Sequence, residues 1–238
     1  MTEIALINRT ARIRDAVFAA RIPAFQAQIT EDFAPLWGVA PATLHFVGKA
    51  EAPDPAHWRV WLLDNSDQAG DLGYHEDAAG VPEAKIFCEE DMRYGSEISV
   101  TISHELLEML ADPLTTRMGP IIDGAQYIVE VCDPVEADDD GYEKAGVKLS
   151  NFALPAYYQP GQPGVTQAAG GPWDFRGLLT GPCPMLRPGG YAMFLKNGGW
   201  TSTMARYEDG ALSHRAIRPY GRSWQRAAVP PRTREAMM

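Results

Sequence analysis

The chain is centred on the stretch Thr101-Ile-Ser-His-Glu-Leu-Leu-Glu-Met-Leu-Ala-Asp-Pro113. When it is read with a helical period, one face is apolar, which predicts a helix packed against a core. That face carries Ile98, Ile102, Leu106, Met109 and Leu110. His104, Glu108 and Asp112 recur every four residues and therefore lie along another face. The helix should end at Asp112, because a residue that precedes proline is disfavoured in the α region.

The side chains at the centre of this helix can hold a metal ion and a water molecule. Glu105 lies about 100° round the helix from His104, within reach of a water held by His104 and Glu108. The segment His104-Glu105-Leu-Leu-Glu108 resembles the active-site helix of the zincin metallopeptidases, HExxH, with glutamate in place of the second histidine. The resemblance implies that His104 and Glu108 bind zinc and that Glu105 is the general base. The alternative is an ordinary amphipathic helix with a solvated polar face.

A third metal ligand is expected downstream, in Tyr127-Ile-Val-Glu-Val-Cys-Asp-Pro-Val-Glu136, which predicts a strand that breaks at Asp133. Glu130 and Asp133 interrupt an apolar run, where an uncompensated charge is costly. A metal would neutralise that charge, and so would a buried cation or backbone donors. Some zincins have an acidic third ligand, which implies Asp133 first and Glu130 second. Asp133 is preferred because the Asp-Pro turn frees its side chain from strand alternation.

Other polar residues have weaker claims to the site. Asp112 lies about 12 Å along the helix axis from His104, so it either caps the turn or orients a ligand. A Cys132 thiolate ligand stays open, although a buried inert thiol is favoured. The acidic run 136–140 favours a solvated loop over a calcium site. Four residues are candidate donors to an oxyanion, and the sequence does not choose among His75, Tyr127, Tyr142 and Tyr157.

Composition bounds the class of protein. The 238 residues are 45% hydrophobic and 10% aromatic, which is typical of a globular chain. The net charge of −10 argues against a nucleic-acid-binding surface. The amino terminus lacks the pattern of a secretory signal, and no apolar run reaches membrane-spanning length. Three widely spaced cysteines favour reduced thiols, so we expect a cytoplasmic protein without nucleic-acid or membrane partners.

Local patterns give the order of the elements. Residues 10–36 predict a long helix that Pro23 kinks or splits. Strands are predicted at 43–47, 57–64, 72–75 and 84–88, and the last two form a hairpin or neighbouring strands. Ser96 is the expected N-cap of the central helix. Further along, 147–155 predicts a strand and 189–200 a hairpin with its turn at Asn197-Gly198.

This order leads us to expect an α+β fold of zincin type. An amino-terminal helix and a twisted mixed sheet would back the active-site helix, and a β-rich part would follow. Residues 1–214 are expected to form a single domain, with a core over about 1–140 and a cap over 141–214. Residues 215–238, which are basic and poorly patterned, are expected to be a flexible tail. In zincins an edge strand binds extended substrate, which implies that role for 72–75 or 85–88.

Two functions of different classes follow. The first is a zinc-dependent hydrolase, most simply a peptidase that acts on peptide or protein substrates. Another divalent metal, such as manganese or iron, is an alternative to zinc. The second is a non-catalytic structural or binding protein on a zincin-like scaffold, including a component of a phage-like assembly. In that case any metal would only join helix to strand. A protein that binds no metal is a third possibility.

Overall fold

The main sheet has five strands and mixed direction in the computed structural model, which describes residues 2–67, 71–159 and 172–207. The strands are β1 (Thr2–Asn8), β2 (Ala42–Val47), β3 (Trp58–Leu63), β4 (Gly73–Ala78) and β5 (Val81–Phe87). Their order is β2-β1-β3-β5-β4. The first four strands in that order are parallel, and β4 pairs antiparallel with β5 at the sheet edge. The predicted hairpin is therefore confirmed.

Strand β1 was not predicted from the sequence, yet it lies inside the sheet. Ile4 and Leu6 point into the main core, and Ala5 and Ile7 point to a small cluster on the opposite face. All four are fully buried, as expected for a parallel strand that is covered on both faces. A continuous apolar run of this kind lacks the alternation that identifies a half-buried strand.

The predicted helix over 10–36 is a series of short helical segments. They are α1 (Asp15–Ala19), α2 (Ile22–Ala27), a π-helical turn (Gln28–Phe33) and α3 (Ala34–Trp37). The break falls just before α2, and Pro23 occupies the first turn of α2, where its missing N–H costs nothing. Phe18, Phe25 and Phe33 are fully buried in the core that these segments share with the sheet.

The central helix is α5 (Ile98–Ala111), and it follows α4 (Cys88–Tyr94). Ser96 is not its N-cap: the cap is Glu97, with extended backbone and no side-chain hydrogen bond. Ser96 instead donates its N–H to the carbonyl of Asp91 and closes the end of α4, whose left-handed cap is Gly95. The helix ends before Asp112, as predicted, and every residue from Ser99 onward is buried.

The second half of the chain is rich in short strands. The second sheet is antiparallel and has the order β11-β10-β7-β6. The strands of this half are β6 (Met118–Ile122), β7 (Ala125–Ile128), the ribbon β8 (Tyr142–Lys144) and β9 (Val147–Leu149), and the predicted hairpin β10 (Tyr191–Lys196) and β11 (Gly199–Met204). The remaining helical segments are Asp133–Val135, Asp138–Asp140 and α6 (Pro155–Tyr158).

Two predicted strands are shorter than expected. The strand over 147–155 ends at Leu149, because Asn151 turns the backbone and accepts the N–H of Phe152 through its own side chain. The strand that begins near Tyr127 ends at Ile128, well before Asp133. Residues 208–214 of the expected cap and the tail expected over 215–238 lie outside the described residues. Within those that are described, no helix has the length and apolarity that crossing a bilayer requires.

Candidate metal centre

Helix α5 brings a histidine and a glutamate together with an aspartate from a distant loop. Nε2 of His104 lies 3.2 Å from Oε1 of Glu108 and 3.2 Å from Oδ1 of Asp133. Donor atoms held by one tetrahedral zinc ion at about 2.0 Å lie about 3.3 Å apart. Each of the two acidic side chains is thus spaced from His104 as a co-ligand of a single ion would be, although Glu108 and Asp133 belong to different groups of close ligand atoms. The other candidate for the third position, Glu130, does not join this group.

The loop that carries Asp133 is fixed to its surroundings by several contacts. The N–H of Cys132 donates 3.2 Å to Oε1 of Glu108, and its Sγ donates 3.7 Å to the carbonyl of His104. The Tyr158 hydroxyl donates to the carbonyl of Glu130. The short helical turn Asp133–Val135 then places Asp133 beside His104. These contacts orient the aspartate before any metal binds.

A second histidine faces the same helix from the edge strand. Nδ1 of His75, on β4, lies 3.6 Å from Oε2 of Glu105 and 3.7 Å from Oε2 of Glu108. Its other ring nitrogen, Nε2, lies 3.9 Å from Oε2 of Glu130. Glu108 therefore faces His104 with one carboxylate oxygen and His75 with the other. The candidate base Glu105 lies on the His75 side.

The acidic run 136–140 was predicted to be a solvated loop, and Glu136 was not predicted as a site residue. The prediction is wrong for two acids of the run: Glu136 is 2% exposed, and Asp140 is buried and bonded twice to the guanidinium of Arg187. Glu136 approaches His104 and Asp133 closely enough to share an ion with them. The spacing of Asp133 and Glu136 could have indicated this, because residues three apart on a 3₁₀ turn lie on the same side of it.

Burial and the nearby carboxylates have opposite effects on the pKa values of the two histidines. Burial alone would lower the pKa of His104, but the carboxylates of Glu108 and Asp133 outweigh burial and raise that pKa to about 10. The pKa of His75 is raised for the same reason: burial lowers it, and Glu130 and Glu105 more than compensate. A metal ion bound by either imidazole would have to displace its proton.

The donor set fits a divalent metal. The region holds two imidazoles and five carboxylates, and none of the seven side chains is more than 3% exposed: His75, His104, Glu105, Glu108, Glu130, Asp133 and Glu136. Crowded carboxylates repel one another, and a divalent cation lowers that repulsion more than protonated histidine does. Three groups of residues have ligand atoms within 4.8 Å of one another: His104/Glu108/Cys132, His75/Glu105/Glu108 and His104/Asp133/Glu136.

The cysteine in the first of these groups is better described as a buried thiol. Burial raises the pKa of Cys132 well above its usual range, which disfavours the thiolate that a metal would need. The Sγ donation to the carbonyl of His104 also occupies the thiol. Asp112 lies in the turn after the helix, where its carboxylate accepts the N–H groups of Thr116 and Arg117. Asp112 therefore caps that turn.

The tyrosines considered as oxyanion donors lie in different places. Tyr127 and Tyr157 line a small pocket whose wall includes Glu130 and Asp133. The Tyr157 hydroxyl donates 2.7 Å to the carbonyl of Met185. Tyr142 is not part of that wall, and its hydroxyl donates 2.7 Å to Asp32. Of the three tyrosines, Tyr127 keeps the best position for contact with a bound molecule.

Comparison of the chain with family models, with curated proteins and with solved structures gives no match.

Proposed function

We propose that the protein is a zincin-like metallohydrolase that cleaves peptide bonds. His104, Glu108 and Asp133 would hold a divalent ion, most simply zinc, and Glu105 would act as general base. The observation that carries the proposal is the position of Nε2 of His104, 3.2 Å from an oxygen of each acidic ligand. One imidazole with two carboxylates matches the ligand types of catalytic zinc sites, and each carboxylate has the spacing from His104 that a shared ion requires.

The architecture around the helix supports the same proposal. After strand β1, the order of elements is a helical segment, the other strands of a mixed sheet and then the helix with the metal-type motif. Apart from β1, this is the order expected for a zincin. Of β4 and β5, only β4 lies at an edge of the main sheet, so the expected substrate-binding role would fall on 72–75 rather than on 85–88. An extended peptide could add to the free side of β4 by backbone hydrogen bonds.

The chemistry divides between the ion and the side chains. When bound, the ion supplies a Lewis acid that polarises the carbonyl and makes water more acidic. Glu105 follows His104 directly on the helix, so its carboxylate lies beside the ligand cluster and can accept the proton of the attacking water. Glu105 can then return that proton to the leaving amine. Tyr127, which shares a pocket wall with Asp133, would donate to the carbonyl oxygen as negative charge develops there.

The test combines metal analysis with turnover of a denatured protein substrate. Native protein should contain zinc, and the Glu108→Ala variant should lose it. Glu105→Gln should keep the metal and the fold, yet lose nearly all turnover. A native protein that stays metal-free after incubation with zinc and manganese would overturn the proposal, because the centre would then be a polar cluster alone.

A second function is favoured by one observation, the burial of the whole centre. The adjoining pocket has room for about one water molecule, whereas most small-molecule sites enclose roughly 300–1,000 Å³. A buried ion could simply join α5 to the loop at Asp133 in a structural or binding protein, including a component of a phage-like assembly. In that case Glu105→Gln would keep the metal and change no function, and the native protein would show no turnover.

A further inference from the structure

We propose a second divalent-metal site beside the first, formed by His75, Glu105 and Glu108, with Glu108 bridging the two. This inference rests on the proposed metal centre, since Glu108 belongs to both sites. The two oxygens of Glu108 already divide between the histidines: Oε1 lies 3.2 Å from His104 and Oε2 lies 3.7 Å from His75. A carboxylate in that position can bind one ion with each oxygen.

His75 is the observation that points to a ligand here. It is 2% exposed, and neither of its ring nitrogens forms a hydrogen bond with any part of the chain that the structure describes. A buried imidazole normally has such partners, because its polar atoms lose water on burial. Nδ1 points between Glu105 and Glu108, at 3.6 and 3.7 Å, so an ion placed there would satisfy it.

The opposite side of the imidazole faces a carboxylate, at a distance too long for a hydrogen bond. Nε2 of His75 lies 3.9 Å from Oε2 of Glu130. Histidines that bind a metal through one nitrogen usually give the other N–H to a carboxylate, which fixes the ring orientation. Glu130, which the sequence offered as a third ligand of the first ion, is thus better placed to orient the ligand of the second.

The donor set limits the kind of ion. One imidazole and two carboxylates suit zinc and manganese, and they disfavour soft ions such as Cu(I). The distances of 3.6–3.7 Å around His75 exceed the 3.2 Å around His104. The second site therefore has looser spacing and should bind more weakly than the first. Two-metal hydrolases hold their ions about 3.5–4 Å apart, a separation that one carboxylate can bridge.

Occupation of the second site has a consequence for Glu105. A carboxylate that binds an ion cannot also accept a proton from water, so Glu105 serves as base only while the second site is empty. We therefore expect turnover to rise as the first site fills and to fall again as the second fills. Glu105 would thus act as a base in the protein with one bound ion and as a metal ligand in the protein with two.

The experiment counts ions. Full-length protein is stripped with a chelator and dialysed against zinc, and in parallel against manganese, and bound metal is measured per chain. Two ions are expected in the native protein and one in the folded variants His75→Ala and His75→Asn. His45→Ala is the matched control, because His45 is a half-exposed histidine on β2 that pairs with Glu3 and stacks on His57, away from the proposed sites; it should keep two.

The outcomes separate the two proposals. One ion in the native protein, kept in both His75 variants and lost in His104→Ala, overturns the second site and leaves the first standing. Two ions that persist in the His75 variants also overturn it. A native protein without metal overturns both proposals. If neither His75 variant folds, anomalous X-ray scattering from zinc-loaded native crystals decides: two peaks flanking Glu108 support the second site, and one peak beside His104 overturns it.

Discussion

The backbone N–H of Cys132 donates a 3.2 Å hydrogen bond to Oε1 of Glu108, the same carboxylate oxygen that faces His104. The bond ties the loop before Asp133 to helix α5 through a proposed metal ligand. Both partners are fully buried, so the N–H has no water to turn to if the carboxylate is removed. Glu108 therefore has a structural role that is independent of metal.

Replacement of Glu108 should separate that role from metal binding. In chelator, Glu108→Ala should lower the free energy of unfolding by about 1–3 kcal/mol relative to Glu108→Gln, because only glutamine keeps an acceptor for the Cys132 N–H. Both variants should lose the bound metal. Urea denaturation of the two variants in chelator measures the difference. Equal stabilities would show that the hydrogen bond contributes nothing.

Removal of the metal should lower the melting temperature of the native protein. An ion present at 100 times its dissociation constant stabilises the fold by about 2.7 kcal/mol, which for this chain length corresponds to roughly 5–10 °C. Differential scanning calorimetry with and without chelator measures the shift. His104→Ala supplies the control, since it lacks a ligand and should melt at one temperature in both buffers. A native protein indifferent to chelator would argue against the centre.

Gly73→Ala should disturb Glu105 without removing a ligand. A Cβ at Gly73 would lie 3.0 Å from the carbonyl oxygen of Lys85 and 3.2 Å from Cγ of Glu105. The strand or the side chain must move, and misplacing a general base by even part of an ångström should cost about tenfold or more in kcat. Steady-state kinetics and metal content are measured together, and the metal should stay.

The matched control for that change is Gly199→Ala, also in a strand, where the new Cβ would meet only the Lys196 carbonyl at 3.8 Å. Its kcat should be that of the native protein. If Gly73→Ala kept full turnover, Glu105 would not depend on the close approach of β4, and the proposed position of the base would be wrong.

Gly190→Ala should damage both the fold and the metal centre. A Cβ there would lie 2.5 Å from the carbonyl oxygen of Pro134 and 3.0 Å from that of Asp133, both backbone atoms of the turn that carries the third ligand. Overpacking of this kind typically costs about 1–3 kcal/mol. Denaturation and metal titration of the variant should show lower stability and weaker binding. Gly181→Ala, with contacts no closer than 3.7 Å, should change neither.

Much of the fold follows from local pattern, and its exceptions have local causes. The helix at Ile98–Ala111 was predictable because its apolar period and the proline that follows it agree. The hairpin at Tyr191–Met204 was predictable from its Asn-Gly turn. Strand β1 was missed because a fully buried strand has no alternation. Ser96 was misassigned because two helices compete for it, and the end of the first helix takes its backbone N–H.

The site was predictable where its residues share one helix and less so where they come from separate strands. The period of four puts His104 next to Glu108 in any helix. Nothing local indicates that His75, on an edge strand, would face Glu105, because that contact depends on how the sheet packs against α5. Glu136 was hidden for another reason: a run of acids resembles a solvated loop until the turn at Asp133 is known.

Strand β1 also affects how the protein is made. It leaves the ribosome before β2 and β3, between which it finally lies, so it has no strand to pair with until residue 47 has been synthesised and lacks its second neighbour until residue 63. At about 5–20 residues per second, the apolar segment around Ile4 and Leu6 waits roughly 3–11 s for its neighbours. A nascent chain is open to chaperones and to aggregation during such a delay. Slower synthesis of the segment before β3 should therefore lower the yield of folded protein.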